Sequence, residues 1–469
     1  TLTDVTFSNC SGADAQSIGS FTSSSRATKI TVGGNFTMIG RGEAYTAGFY
    51  AIVFIASDYP VSILSNATYP AHWTFYNYNN CPFQLQTMRT EGINFTAASV
   101  RAVASATTSA SLFYSTDSSG ATKFNITDLL YVEGLGILTT NGNATLTAGQ
   151  IVANRTTAGI FLPSLLSNLN VNANNMLAMN AGMSVFSLQG ALRVNVSNSL
   201  EISTNLGLSA SSAMFTGTSG THVFNVGNLT VSGVRYSSGP AVLVQSGSVK
   251  LNISAVENIV FDSNQATGTG GAIYLGGTAQ MALRAGKEII FRRNSAQSGG
   301  AMYLQINAGL SMWSSAQNTF GAALFDSNTA SARGGALHVY TTTASTTFSA
   351  SSFIGNSAPD GCAISWIDAC VLFNTSGTIG PNTLVNANSS TCVANDYMCF
   401  EAPISPPITP SIADTPPASS PVAPVPVAPT ITCPGAPPTT SSECVGGVWV
   451  VPAAELETVA PTTVISSPI

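Results

Sequence analysis

The chain has very little charge. Lys, Arg, Asp and Glu make up 8% of its 469 residues, whereas about a quarter is usual in soluble proteins. The net charge is only -6 and no run of Lys or Arg occurs, so we predict no nucleic-acid partner, which would require a basic surface. Something other than charge must keep this chain in solution.

Long hydrophobic runs are also missing. The most apolar stretch, 47–64, contains Asp58 and Pro60, so the sequence predicts no membrane span. The chain starts at Thr1 without a basic segment followed by an apolar one, which suits a mature protein whose signal peptide has been removed. Hydrophobic residues still make up 44% of the chain, enough for a large core and too many for a disordered protein.

Metal-binding and nucleotide-binding motifs are absent as well. No two cysteines are separated by two residues, and the three histidines, His72, His222 and His338, do not combine with them into a zinc set. No P-loop, EF-hand or zinc-protease pattern occurs. We therefore predict no metal site and no cofactor.

Charged residues that could form a catalytic site are sparse. Enzymes that cleave polysaccharides use paired carboxylates, or carboxylates beside basic residues, on one face. The richest patch is 284–293, with Asp262 and Asp326 at equivalent repeat positions, and we interpret it as a ladder of opposite charges between neighbouring repeats. A looser N-terminal set is interpreted as surface charge: Asp58, His72, Arg89 and Glu91. The sequence therefore predicts no catalytic residue and a protein that is not an enzyme.

The cysteines indicate an oxidising compartment. The chain has eight, most of them in close pairs near the C-terminal end, which suits short disulfide loops in an extracellular protein. Such bonds stabilise by about 2 to 4 kcal/mol each, mainly by restricting the unfolded chain. The predicted pairs are Cys362–Cys370, Cys392–Cys399, Cys433–Cys444 and Cys10–Cys81.

Acceptor sequons for N-linked glycans are frequent. In a chain rich in Asn, Ser and Thr some arise by chance, but with the cysteines and the low charge they favour an extracellular surface that sugar keeps soluble. We predict covalently attached glycans, with no acceptor enclosed in the core. The span 255–373 has no sequon, which indicates a protein contact surface on one of its faces. The predicted acceptors are Asn9, Asn35, Asn66, Asn94, Asn125, Asn143, Asn154, Asn195, Asn228, Asn252, Asn374 and Asn388.

One motif recurs in the second half of the chain. Each copy begins with Phe-x-x-Asn-x-Ala, continues through a short polar loop, and ends in Gly-Gly-Ala followed by alternating apolar residues. A fixed motif with variable spacing is typical of a solenoid in which each repeat forms one turn and loops absorb the length differences. The copies start at Phe261, Phe291, Phe325 and Phe353, and their asparagines are Asn264, Asn294, Asn328 and Asn356.

This repeat predicts one coil of a parallel β-helix. Alternating residues such as 272–275 form a short strand, and the glycine pair supplies the bend before it. We expect the phenylalanines to stack inside, and the asparagines to align about 4.8 Å apart and bond from coil to coil. None of these asparagines is in a sequon, as an inward position requires. Fainter coils upstream are marked by Asn172, Asn195, Asn225 and Asn252.

These patterns predict an all-β chain with four parts. A β-rich cap region, 1–105, protects the first edge strand of a right-handed parallel β-helix, 106–400, whose sharpest repeats lie at 261–366. Residues 401–432 are a Pro-rich linker in extended polyproline II conformation. Residues 433–469 contain a disulfide loop and an apolar strand that we predict to have no partner in its own segment. That strand is Val448, Trp449, Val450 and Val451.

Two parts of the chain resemble known families. The Phe-x-x-Asn and Gly-Gly-Ala elements between Phe261 and Trp366 resemble the repeats of the chlamydial polymorphic outer membrane proteins, which are surface β-helical adhesins; the fourth copy departs from the pattern, with Gly361-Cys362 in place of Gly-Gly. The tract 406–430 resembles the hydroxyproline-rich modules of algal and plant extracellular glycoproteins. The first resemblance implies a surface β-helix, and the second implies hydroxylated, glycosylated prolines.

Three kinds of function are compatible with these features. We predict foremost an extracellular structural glycoprotein that self-assembles head-to-tail into a surface filament or coat, its terminal strand adding to an open edge of the neighbouring copy. The alternative is a β-helical adhesin or carbohydrate-binding surface protein. A glycan-active enzyme is the least favoured of the three. All of them place the protein outside the cell, secreted or at the cell surface.

Overall fold

The computed structural model of the protein describes residues 2–10, 19–23, 27–40, 52–56, 59–76, 83–87, 92–104, 111–116, 121–156, 159–165, 167–204, 213–217, 219–236, 240, 242–244, 249–305, 307–314, 319–320, 323–340, 351–367, 383–384, 443–445 and 448–450. The regular structure within these ranges is all β, with no helix.

The strands form three large sheets and one hairpin. Sheet 1 has eighteen strands: Leu2–Cys10, Thr28–Gly40, Val61–Ser65, His72–Tyr76, Ile93–Val103, Ala121–Glu133, Asn143–Asn154, Asn168–Met179, Ala191–Ser203, Thr221–Ser232, Lys250–Ala255, Ile259–Asp262, Gln280–Ala285, Ile289–Arg292, Gly309–Ser314, Thr319–Phe320, Leu324–Asp326 and Ser352–Ile354. Sheet 2 has thirteen: Gly19–Ser23, Ile52–Ala56, Phe83–Thr87, Ser111–Thr116, Gly136–Thr140, Phe161–Pro163, Phe186–Leu188, Phe215–Gly217, Val242–Val244, Ile273–Leu275, Met302–Gln305, Leu337–Tyr340 and Ile364–Ile367. Sheet 3 has six: Arg235–Tyr236, Gln265–Ala266, Ser295–Ser298, Thr329–Arg333, Ser357–Ala358 and Thr383–Leu384.

The chain passes between these sheets once per coil. Asn143–Asn154 of sheet 1 pairs in parallel with Ala121–Glu133 before it and Asn168–Met179 after it. Between them, Gly136–Thr140 and Phe161–Pro163 pair in parallel in sheet 2. One antiparallel pairing interrupts the scheme, where Thr319–Phe320 folds back on Gly309–Ser314. The predicted parallel β-helix is confirmed.

The coils begin earlier than the sequence indicated. Within the predicted cap region 1–105, Thr28–Gly40 pairs in parallel with strands on both sides, and Gly19–Ser23 starts the parallel ladder of sheet 2. The structure therefore has β-helical coils where a separate cap was expected. The motif was hidden because these coils fill their interior with large aromatic side chains, such as Trp73 packed 4.2 Å from Phe36 between ring centroids, instead of a repeated Phe and Asn.

Alternating side chains build the core. In Asn168–Met179, Leu169, Val171 and Met176 are buried, whereas Asn170 and Asn172 are partly exposed. Because successive strands pair in register, each inward side chain packs on its equivalent one coil away. The interior is therefore a set of apolar columns that run along the coils.

The glycine pair of the repeat has two separate causes. The first glycine is left-handed, with φ of 68° at Gly270 and 64° at Gly299, a conformation that costs little only for glycine. The second has no space for a side chain, because a Cβ on Gly300 would lie 2.0 Å from the carbonyl oxygen of Gly335 in the next coil. Cys362 replaces the second glycine at the end of the described column.

The strands of sheet 1 carry β-bulges near their middle. Between Thr221–Ser232 and the preceding strand the register shifts, so that Ser197 and Asn198 both oppose Gly227. A Cβ on Gly227 would lie 2.0 Å from the carbonyl oxygen of Asn198. The bulge therefore requires glycine, and it bends the outer surface of sheet 1.

The chain divides into two units, Thr1–Ile404 and Ser405–Ile469. In the second unit, Val448–Val450 pairs antiparallel with Glu443–Val445, and Cys444 lies opposite Trp449. The prediction that the strand 448–451 lacks a partner in its own segment is wrong. Only Gly446 and Gly447 separate the two strands, and a Gly-Gly pair favours a two-residue hairpin. The predicted linker 401–432 lies outside the described residues.

Candidate functional site

The repeat asparagines form a buried ladder. Asn264, Asn294, Asn328 and Asn356 are each 0% exposed. In the first three, the amide Nδ2 donates to the Oδ1 of the next asparagine at 3.0 Å, and the backbone N–H of the same residue donates to that Oδ1 at 3.0 Å. The Nδ2 groups also donate to main-chain carbonyls, as Asn294 does to Phe261 at 3.0 Å. The predicted alignment is confirmed, and its role is structural.

The ladder stabilises a tight turn. The residue before each ladder asparagine is left-handed, with φ of 56° at Ser263, 54° at Arg293, 55° at Ser327 and 65° at Gly355. This conformation costs about 1 kcal/mol or more for residues other than glycine. The asparagine that follows joins this turn to the equivalent turns of the neighbouring coils through its hydrogen bonds. The sequence motif did not indicate this backbone conformation.

The repeat phenylalanines stack beside the ladder. Ring centroids are 5.1 Å apart for Phe261 and Phe291, 5.0 Å for Phe291 and Phe325, and 4.7 Å for Phe325 and Phe353. The planes of successive rings differ by at most 9°. The predicted inward stack is confirmed.

The charged patch of the repeats is centred on Asp262. Asp262, Arg292 and Asp326 occupy equivalent positions of neighbouring strands, as predicted. Arg292 and Arg293 contact the Asp262 carboxylate at 2.9 and 2.6 Å. Burial alone would raise the pKa of Asp262, but hydrogen bonds from Arg293 and Ser263 and the two positive charges outweigh it and lower the pKa. The arrangement is an ion-pair cluster with its carboxylate fully occupied.

Two histidines are buried in apolar surroundings. His222 is 0% exposed and its Nε2 lies 2.9 Å from the Ser219 carbonyl, while His338 is 3% exposed and lies beside Tyr303 with ring centroids 5.2 Å apart. In both, Nδ1 has no hydrogen-bond partner within the described part of the chain. Burial lowers the pKa of both side chains, that of His338 to about 4 with a further contribution from the Arg333 charge. Both are therefore neutral at pH 7.

His338 makes the protein acid-sensitive. The unfolded chain binds a proton at an ordinary pKa of 6.5 and the folded one only near 4, so stability is lost as the pH falls from 6.5 to about 4. Between pH 7 and pH 4.5 the free energy of unfolding should fall in both proteins. We expect the fall to be about 2 to 3 kcal/mol smaller in His338→Phe than in the wild type. Denaturant unfolding at both pH values measures this difference. An equal loss in the two proteins would contradict the assignment.

The predicted glycan acceptors collect on sheet 1. Asn66 follows Val61–Ser65 directly, and the other acceptors in the described residues lie within strands of this sheet: Asn9, Asn35, Asn94, Asn125, Asn143, Asn154, Asn195, Asn228 and Asn252. Every one of them whose side chain is described is exposed or partly exposed. Asn374 and Asn388 lie outside the described residues.

The acceptors differ in how their amides are engaged. At Asn66 and Asn143 the Oδ1 accepts hydrogen bonds, from Thr68 N–H at 2.8 Å and from Asn168 Nδ2 at 2.8 Å. At Asn195, in contrast, the Nδ2 that would bear sugar donates to Asn172 Oδ1 at 2.9 Å. Solvent access and amide geometry therefore favour some acceptors over others.

A second asparagine ladder lies on the outer surface of sheet 1. Asn225 donates to Asn195 and Asn195 to Asn172, both at 2.9 Å, and these residues border a neutral groove of about 580 Å³ beside the bulges. Asn252, the fourth marker of the fainter coils, belongs to another column, since it pairs with Val223 and Ser254 takes the position next to Asn225. The sequence marked three of these asparagines without indicating that they face outward together.

The disulfide scheme remains a prediction. Cys362 is fully buried, and its predicted partner Cys370 lies outside the described residues, as do Cys81, Cys392, Cys399 and Cys433. Of the looser N-terminal set, His72 lies on sheet 1 with its Nδ1 2.8 Å from Ser99 Oγ, and Asp58, Arg89 and Glu91 are outside the described ranges. The interpretation of this set as surface charge therefore stays a prediction.

Neither metal clusters nor membrane helices occur in the described residues. No three His, Cys, Asp or Glu side chains there are placed to hold a metal ion. A search of the same residues found no helix with the length and apolar character needed to cross a bilayer.

Comparison with known proteins identifies the repeat. The Chlamydia polymorphic membrane protein (Chlamydia_PMP) repeat matches residues 258–276, which include Phe261, Asn264 and the first glycine pair. The match covers part of one coil, and it supports the resemblance seen in the sequence and a location at the cell surface. No curated protein matches the chain. No solved structure matches it.

Proposed function

We propose that the protein is an extracellular structural glycoprotein whose β-helix carries N-linked glycans on sheet 1. The main support is the placement of the acceptors, since the described ones gather on a single sheet and none with a described side chain is buried. Sugar there would supply the hydration that the few charged side chains do not provide. The described residues contain a rigid scaffold and an ion-pair cluster, which suits a structural role.

Glycopeptide mass spectrometry of the secreted protein tests this proposal. We expect the highest occupancy at the exposed acceptors Asn125, Asn143 and Asn252, and lower occupancy at Asn195, whose Nδ2 is engaged with Asn172. Asn225, exposed on the same sheet but without a sequon, is the internal control and should be unmodified. Unmodified asparagine at all three exposed acceptors would refute the proposal.

The finer proposal is that copies assemble head-to-tail into a filament or coat. The hairpin of Glu443–Val445 and Val448–Val450 has two strands and therefore two edges, and either can add to the open edge of a β-helix in a neighbouring copy. A contact of this kind, repeated without closing a ring, generates a filament. Because the two strands of the hairpin pair with each other, the element that would add to the neighbouring copy is a two-stranded hairpin and not the single strand expected from the sequence.

The alternative proposal is an adhesin or carbohydrate-binding surface protein. The repeat match favours it, and so does the neutral groove beside Asn172, Asn195 and Asn225, because amide groups suit the hydroxyl groups of a neutral sugar chain. The two proposals differ at Asn195, since a glycan attached there would fill the groove. High occupancy of Asn195 would count against the adhesin, whereas an unmodified Asn195 and retention on a neutral polysaccharide matrix would favour it.

A further inference from the structure

Sheet 2 differs from sheet 1 in its lack of charge. None of its thirteen strands contains Lys, Arg, Asp or Glu, and none contains Asn. Strands of sheet 1 carry both acidic and basic residues, such as Lys123, Glu201 and Arg292. The single histidine in the strands of sheet 2, His338, is neutral at pH 7 because burial lowers its pKa to about 4. One sheet of the β-helix is therefore neutral and free of glycan acceptors.

The outward positions of sheet 2 form a continuous column. Phe113, Leu138 and Phe161 point inward and are fully buried, so the residues after them in the strands face outward. These outward residues pair in register and are partly exposed: Tyr114, Thr139, Leu162, Ser187 and Thr216. Loss of charge and enrichment in tyrosine distinguish the centre of protein interfaces from the rest of a protein surface.

The tyrosines of this sheet are not arranged to bind sugar. Tyr274 and Tyr303 stack face to face, with ring centroids 5.3 Å apart and planes within 1°, and His338 lies against Tyr303 on the far side. Their faces are therefore covered by each other, whereas stacking of a sugar ring needs an open aromatic face. A neutral protein surface is the better partner.

The exposed part of sheet 2 is large enough for a contact between proteins. Outward side chains are partly exposed in seven of the eight strands from Ser111–Thr116 to Met302–Gln305, whereas the outward residues His338 and Ser365 beyond them are buried. Eight strands about 4.8 Å apart make a face about 35 Å long, and strands of three to six residues make it about 10 to 20 Å wide. The product is about 350 to 700 Å² for each partner, or about 700 to 1,400 Å² in total, which brackets the roughly 1,000 Å² in total that a specific interface should exceed. A second copy presents an equally neutral face of the same length, and a two-fold axis relates such matching patches.

We propose that two copies of the chain pack through their sheets 2, which leaves both glycan-bearing sheets 1 facing outward. The inference rests on the proposed function, because sugar on sheet 1 is what makes sheet 2 the bare side of the coil. A bulky or charged group at the centre of sheet 2 would separate the copies. The same group on sheet 1 would leave the dimer intact.

Engineered glycans on the full secreted chain provide the test. Thr216→Asn completes an Asn-Gly-Thr sequon with Gly217 and Thr218 on sheet 2, and Asn174→Thr completes an Asn-Ala-Thr sequon at Asn172 on sheet 1. Analytical ultracentrifugation measures the dissociation constant of the dimer. We expect a dimer for the wild type and for Asn174→Thr, and for Thr216→Asn a dimer weakened about tenfold or more.

Two results would overturn the proposal. One is that the wild type is monomeric at micromolar concentration. The other is that Thr216→Asn carries the glycan and still dimerises as tightly as the wild type. If Thr216→Asn is not modified, Thr216→Lys replaces it with the same expectation, and circular dichroism checks that each variant is folded. A monomeric wild type that binds neutral polysaccharide, and loses that binding in Thr216→Asn, would instead make sheet 2 a carbohydrate surface. Glycopeptide mapping of the wild type judges the proposed function separately.

Discussion

Replacing Asn294 by alanine should destabilise the β-helix by about 3 to 5 kcal/mol. The Oδ1 of Asn294 accepts from the backbone N–H and the Nδ2 of Asn264, and its Nδ2 donates to Phe261 O and Asn328 Oδ1, all at 3.0 Å and with no solvent access. Alanine leaves the backbone N–H and one of the two Nδ2 hydrogens of Asn264 buried without a partner, while the other Nδ2 hydrogen keeps its bond to the Val231 carbonyl, and each unpaired group costs about 1 to 3 kcal/mol. Denaturant unfolding measures the change, and faster hydrogen exchange of the Asn264 amide locates it.

Asn225→Ala is the matched control. Asn225 makes an amide bond to Asn195 of nearly the same length, 2.9 Å, but it is exposed on sheet 1, so water replaces the lost partner. We expect a cost of about 0.5 kcal/mol. Similar small costs for Asn294→Ala and Asn225→Ala would mean that the buried ladder does not stabilise the coils.

Deletion of residues 431–469 should abolish assembly and leave the β-helix intact. The hairpin at 443–450 belongs to the unit Ser405–Ile469, while the coils belong to Thr1–Ile404. Under the filament proposal, the deleted chain keeps its far-ultraviolet circular dichroism and thermal midpoint but forms no filaments in electron micrographs.

A shorter deletion serves as the control for this experiment. Removal of residues 451–469 keeps both strands of the hairpin and should allow normal assembly. Filaments formed by the 431–469 deletion would refute the linking role of the hairpin. Loss of filaments in both variants would move that role from the hairpin to the last residues of the chain.

The sequence predicted those parts of the fold that repeat. A Phe and an Asn at fixed positions within each copy are enough to place Phe261 and Phe291 in one column and Asn264 and Asn294 in another, because pairing in register makes equivalent residues neighbours. The N-terminal coils lack this motif, and their aromatic core around Trp73 resembled a cap. The partner of Val448–Val450 was missed although Gly446-Gly447 is a hairpin signal, because the segment before it is rich in proline.

The candidate surfaces could not be predicted in the same way. Each sequon is a local pattern, and its sheet depends on where in the coil it falls, which variable loop lengths hide. Asn195 and Asn225, thirty residues apart, become neighbours only once the coil between them is closed. The neutrality of sheet 2 is likewise a property of strands drawn from the whole chain.

Electron cryomicroscopy of the native secreted protein tests the central claim most directly, because it locates the sugar and the protein contacts in one map. The claim is that glycans cover one sheet of the β-helix and leave the other for protein. We predict branched density at Asn125, Asn143 and Asn252 on sheet 1, none on sheet 2, and a second copy against sheet 2. Sheet 1 without sugar, or sheet 1 itself packed against another copy, would contradict it.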